Sequence, residues 1–98
     1  MVKKVNEFKT IVVNSTYQNR ETLEIAKHCY EILTNKGLNV LFTENLSKLK
    51  KFEGFQVVTN EEVLSTADLL ISIGGDGTML SSARTFGSQG LPVLGVNL

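Results

Sequence analysis

The sequence predicts an α/β fold, a parallel sheet carrying helices on both of its faces. Two observations lead there. Four short apolar runs, at residues 10–14, 39–43, 69–73 and 92–96, are continuous rather than alternating, which is the pattern of strands buried on both sides. Between them lie stretches with helical spacing or helix-start signals, so strand and helix alternate along the chain.

Thr10-Ile11-Val12-Val13-Asn14 is β-branched and apolar, and the polar run Ser15-Thr16-Tyr17-Gln18-Asn19 reads as its exit turn. From Arg20 to Lys36 the residues Leu23, Ala26, Cys29, Tyr30 and Leu33 recur at helical spacing, flanked by Ile25 and Ile32. Glu21 suits the positive end of that helix and Gly37 its left-handed stop. Asn39-Val40-Leu41-Phe42-Thr43 is the second strand, so strand, helix and strand fill about thirty residues, the length of a right-handed crossover.

Residues 44–58 carry little pattern. Leu46, Leu49 and Phe52 suit a short helix with Lys48, Lys50 and Lys51 outward as a solvated face, broken at Gly54. Thr59 and Glu62 have the spacing of a capping box, which predicts a helix through Thr66. Leu69-Leu70-Ile71-Ser72-Ile73 follows as a strand, then Gly74-Gly75-Asp76-Gly77, a helix from Thr78 to about Gly87, and a last strand over residues 92–96. The sequence ends at Asn97-Leu98 with no helix after that strand. Because an α/β sheet is covered on both faces, residues 1–98 are read as one domain with further sequence expected downstream.

Composition narrows the function. Ten Lys and Arg balance ten Asp and Glu, so no bulk electrostatic attraction draws the chain to nucleic acid or to an anionic membrane. The 42% of hydrophobic residues supports a packed core rather than disorder. A single cysteine, Cys29, excludes an internal disulfide framework and is expected as a small buried side chain on the first helix. No apolar run approaches the ~20 residues that cross a bilayer, and the polar start Met1-Val2-Lys3-Lys4-Val5-Asn6-Glu7 does not read as a secretory signal. A soluble, cytoplasmic protein is expected.

In open α/β sheets ligands bind beyond the carboxyl ends of the strands, where the loop after Ile73 lies. Gly74, Gly75 and Gly77 allow positive φ and close backbone approach, and the amides that start the next helix can face an anion such as a pyrophosphate. Asp76 repels phosphate, so its presence there calls for a chemical role, either holding Mg²⁺ or accepting a proton from a hydroxyl that attacks phosphorus. The plainer reading is a tight turn in which Asp76 caps the helix.

Other phosphate motifs fail by counting. A dinucleotide fingerprint read from Gly75 would need glycine at position 80, which is Leu80, and no acid follows about twenty residues on. A Walker A loop needs a Gly-Lys pair, and none occurs. One histidine beside one cysteine, His28 and Cys29, cannot build a zinc site, and His28 is expected as a partly exposed helix residue.

The segment Leu69-Leu70-Ile71-Ser72-Ile73-Gly74-Gly75-Asp76-Gly77-Thr78-Met79-Leu80 resembles the NAD kinases. Ser82-Ala83-Arg84-Thr85 and the ending Pro92-Val93-Leu94-Gly95-Val96-Asn97-Leu98 resemble that family's following helix and strand, whereas residues 1–60 match by pattern. The Gly-Gly-Asp-Gly-Thr core is shared with diacylglycerol-type and sphingosine-type lipid kinases. Those usually continue with an Asn-Glu pair, where this chain has Ser81-Ser82-Ala83-Arg84.

The resemblance implies the Rossmann-like N-terminal domain of the NAD kinase and diacylglycerol kinase-like fold. It implies transfer of the γ-phosphoryl group of ATP, or of polyphosphate in some members, to the 2′-hydroxyl of the adenosine ribose of NAD, giving NADP. Carried over by position, Asp76 is the general base and Gly77 contacts NAD, with Gly74, Gly75 and Thr78 completing the nucleotide loop. Thr78 is expected chiefly to cap the helix, and Arg84 to reach a phosphate or to stand as a surface charge. A divalent cation such as Mg²⁺, a C-terminal β-rich domain outside this sequence and a homo-oligomeric full-length protein are implied as well. The alternatives are a lipid kinase domain and a nucleotide-binding module without chemistry.

Overall fold

A computed structural model describes residues 8–16, 19–46 and 55–97. Five strands, β1 (Thr10–Ser15), β2 (Asn39–Thr43), β3 (Val57–Val58), β4 (Leu69–Gly74) and β5 (Val93–Asn97), alternate with helices α1 (Arg20–Asn35), α2 (Asn60–Thr66) and α3 (Asp76–Thr85). All pair in parallel, in the order β3-β2-β1-β4-β5. The chain steps outward from β1 to β3, then returns to lay β4 on the other side of β1. The strand order therefore reverses between β1 and β4, where ligands bind in sheets of this kind.

Side-chain alternation splits the core in two. Ile11, Val13, Val40, Phe42, Ile71 and Ile73 face one way and pack against Ala26, Leu23, Cys29, Tyr30 and Leu33 of α1. Val12, Leu41 and Leu70 face the other way, against Val63 of α2 and against Phe86 and Leu91 beyond α3. The expected stripe on α1 is the one that docks, and Ile32 at its flank is 43% exposed. Asn19 caps α1 by accepting from the Thr22 amide at 2.8 Å, and Gly37 takes φ +83° past its end, as its position predicts. Cys29 is half-buried rather than fully inside, and burial pushes its thiol pKa up. His28 is exposed.

At the amino ends of the strands the Asp68 carboxylate accepts from the Lys9 and Thr10 amides at 2.8 and 2.9 Å. Backbone donors that have no partner strand there are thereby satisfied, and the start of β1 is tied to the turn before β4.

Strand ends shift by a residue at β1, β4 and β5, and two elements, β3 and α3, differ by more. β3 is a strand of two residues, paired with Phe42 and Thr43, too short to show any period in the sequence. The helix α3 begins at Asp76, two residues before the expected Thr78, because Gly75 takes the extended N-cap conformation and Asp76 is already helical. It ends at Thr85, and Gly87–Gln89 forms a separate 3-10 turn. Leu46 is buried, while the expected helix through Leu49 and Phe52, with Lys48, Lys50 and Lys51 outward and its break at Gly54, lies outside the described residues.

The capping box on α2 is formed in full: the Glu62 amide donates to Thr59 Oγ1 at 3.2 Å, and the Thr59 amide donates to Glu62 Oε1 at 3.0 Å. Hydrogen bonds from the Thr59 amide and then the Thr59 hydroxyl hold the Glu62 carboxyl below the usual carboxylate range. A depressed folded-state pKa means that its contribution is whole above the unfolded pKa and is lost as pH falls through the folded one. Thr59→Ala is expected to cost about 1 kcal/mol in chemical denaturation. Glu62→Gln is expected to narrow the stability difference between neutral pH and the acid side of the carboxylate range, checked by melting across that interval.

Candidate active site

The glycine loop joins β4 to α3 at the carboxyl edge of the sheet, and its three glycines do different work. Gly74 has φ +150°, and a Cβ there would lie 2.6 Å from Thr78 Oγ1 and 2.9 Å from Thr78 Cβ. The turn therefore closes only with glycine at 74. Around Gly75 and Gly77 a Cβ would meet nothing within 4 Å. Their missing side chains leave open space over the backbone at the start of α3, and no packing among the described residues requires it.

Asp76 is the first residue of α3 and is exposed. No side chain caps the helix, so the reading of Asp76 as its N-cap is corrected: the cap is Gly75. The Asp76 carboxylate sits in the first turn, at the positive end of the helix dipole, and among the described residues it accepts no hydrogen bond. Thr78 does not cap either. It is buried within the first turn, and its hydroxyl pairs at 2.7 Å with that of Thr16, at the end of β1. This bridge spans the point where the strand order reverses.

A cleft of about 270 Å³ opens on the other side of the loop, between the ends of β4 and β5, lined by Gly74, Gly75, Asp76, Met79, Gly95 and Asn97. The pairing Ser72↔Gly95 and Gly74↔Asn97 sets β5 beside the loop. Met79 lies across Gly95, where a Cβ would come 2.8 Å from its sulfur. Arg84, eight residues along the helix and exposed, is carried about 12 Å of helical rise away from Asp76.

The expected loop residues Gly74, Gly75, Asp76, Gly77 and Thr78 are contiguous, and the structure adds Met79, Gly95 and Asn97 from the cleft and Thr16 from just past β1. Sequence reasoning does not reach these four as a site, because their meeting depends on the β4–β5 register and on β1 lying beside β4. Among the described residues no group of three or more His, Cys, Asp or Glu could hold a metal ion, and no helix is long and apolar enough to cross a membrane.

The two kinds of glycine separate in experiment. Gly74→Ala is expected to destabilise the protein by about 1–3 kcal/mol through its strained conformation and the clash with Thr78. Gly77→Ala, in an open helical position, is expected to stabilise it by up to ~1 kcal/mol. Thermal melting of the two variants checks the opposite signs.

A family model of the ATP-NAD kinase N-terminal domain matches residues 10–98. The NAD kinase of Aromatoleum aromaticum is 34% identical over 91 residues, covering 92% of this chain and 30% of that protein. The NAD kinase of Erwinia tasmaniensis is 40% identical over 68 residues, covering 69% of this chain and 23% of that protein. The chain thus spans about a third or less of the length of these relatives. The crystal structure of yeast NADH kinase complexed with NADH superposes with a TM-score of 0.69 over 93% of this chain and 31% of that one, at 20% identity, a likeness of fold. Between the two kinase readings that the Gly-Gly-Asp-Gly-Thr core leaves open, these matches fall on one side. The chain belongs to the ATP-NAD kinase family, aligning with its N-terminal domain from Thr10 to the end.

Proposed function

We propose that this chain is the N-terminal α/β domain of an NAD kinase, which moves the γ-phosphoryl group of ATP, or the terminal one of polyphosphate, onto the 2′-hydroxyl of the adenosine ribose of NAD. One observation carries the reading: an exposed carboxylate, Asp76, with no hydrogen-bond partner among the described residues, stands at the positive end of a helix between two glycines whose open faces leave room for a ligand.

Phosphoryl transfer asks a protein for positioning and charge neutralisation more than for covalent chemistry. Asp76 accepts the proton of the 2′-hydroxyl as its oxygen bonds to the γ-phosphorus, and the bond from that phosphorus to the bridging oxygen breaks to release ADP. The open backbone at Gly75 and Gly77 lets the nucleotide approach the first amides of α3, whose orphan donors face anions. A divalent cation would be held mainly by the nucleotide phosphates, as Mg²⁺ commonly is, with Asp76 the carboxylate within its reach at the cleft, and it would neutralise charge on the transferring phosphoryl group.

In the full-length protein Asp76→Asn is expected to lower kcat by at least about 10²-fold while leaving NAD affinity within a few-fold. Steady-state kinetics beside calorimetric titration of NAD check this. A binding module without chemistry would instead keep or tighten nucleotide affinity in that variant and form no NADP in either protein. The 98-residue chain alone is expected to form no appreciable NADP.

A further inference from the structure

Helix α3 is docked on the sheet in two different ways along its length. At its far end Phe86 is buried among Val12, Leu41, Val63 and Leu70, an ordinary apolar anchor. Nearer the glycine loop its buried residues are Thr78 and Ser82, both hydroxyl-bearing and one turn apart. The sheet beneath changes character in step. The row Leu41, Val12, Leu70 gives way two residues further along the strands to Thr43, Asn14, Ser72, all buried.

These polar groups form one connected chain. Thr43 Oγ1 donates to Asn14 Oδ1 at 2.6 Å, and Asn45 Nδ2 donates to the same oxygen at 3.3 Å. Asn14 Nδ2 donates to Ser82 Oγ at 3.3 Å, and Ser82 Oγ shares a 2.8 Å hydrogen bond with Ser72 Oγ. Ser72 Oγ also lies 3.5 Å from the Thr78 carbonyl oxygen. Two donors on Asn14 Oδ1 fix which way its amide points, and so aim its own donor at α3.

Burying this row costs free energy unless each member is satisfied, and an apolar row would dock a helix equally well. What apolar packing does not supply is direction: a helix resting on side-chain area can slide by fractions of an ångström, whereas hydrogen bonds weaken steeply with angle and distance. The row lies under the middle of α3, between Thr78 and Ser82.

We infer that Asn14 and Ser82 are positioning residues, which register α3 against the sheet so that the Asp76 carboxylate stands where the acceptor hydroxyl arrives. This rests on the kinase reading of the glycine loop. Neither residue touches the reacting atoms, since Ser82 is six residues from Asp76, about 9 Å along the helix. Their effect passes through the helix as a rigid body, and a misplacement of an ångström costs of order a hundredfold in rate.

The test is the full-length protein carrying Ser82→Ala and, separately, the pair Asn14→Leu with Ser82→Ala. The pair removes both partners of the Asn14–Ser82 bond together, while Thr43 Oγ1 and Asn45 Nδ2 lose Asn14 Oδ1 and Ser72 Oγ keeps the Thr78 carbonyl oxygen. The expected result is a tenfold to hundredfold fall in kcat with KM for NAD and ATP within about twofold, in variants that stay folded at the assay temperature although the pair lowers Tm, while Ser82→Thr, which keeps the hydroxyl, retains kcat. If the pair fails to fold, Thr43→Val, nearly isosteric and remote from α3, carries the test through a smaller fall in kcat at unchanged KM. Folded variants with kcat within twofold of the parent overturn the inference, as does a loss of activity that follows Tm. Asp76→Asn measured alongside separates the failures: if it keeps its kcat, the kinase reading falls, and if it alone loses kcat, only the positioning role does.

Discussion

The carboxyl edge of this sheet depends on one close approach, that of the Gly74 backbone to the Thr78 side chain. A strand must stop, turn and become a helix within two residues, and the space that a Cβ would fill at 74 is taken by the Thr78 hydroxyl and its carbon. From that contact the rest follows. Gly75 becomes the N-cap, Asp76 the first helical residue, and Thr78 is left with its hydroxyl toward Thr16, so that the ends of β1 and β4 are joined across the reversal of strand order. The acid stands exposed in the first turn of the helix.

Much of the fold is legible because its signals are local. The α1 stripe, the left-handed Gly37 and the Thr59–Glu62 box each express backbone geometry within a turn of helix, and each is found where the spacing puts it. The start of α3 is harder to place because the sequence presents Asp and Thr, both good caps, beside glycines that cap nearly as well through backbone freedom alone. The two-residue β3 exists only through its pairing with β2, and pairing leaves no periodic mark in two residues.

The site divides in the same way. Gly74 to Thr78 can be read because they are consecutive and chemically conspicuous. Met79, Gly95, Asn97 and Thr16 cannot, since their roles come from strand register. The buried polar row is hidden for another reason. Asn14 and Ser72 each look like a lapse in an apolar strand, and Ser82 like a filler on a helix of weak amphipathic pattern. Only the stacking of three strands and a helix makes them one network.

The contact between Met79 and Gly95 sets the calibre of the cleft from behind. A methionine is long and pliable, and it lies back over β5 only because position 95 offers no side chain in its way. Any larger residue at 95 must displace the thioether, and both residues line the cleft that Asp76 borders. The mouth of the cleft is thus tunable by a strand residue on its floor, with the glycine loop itself left untouched.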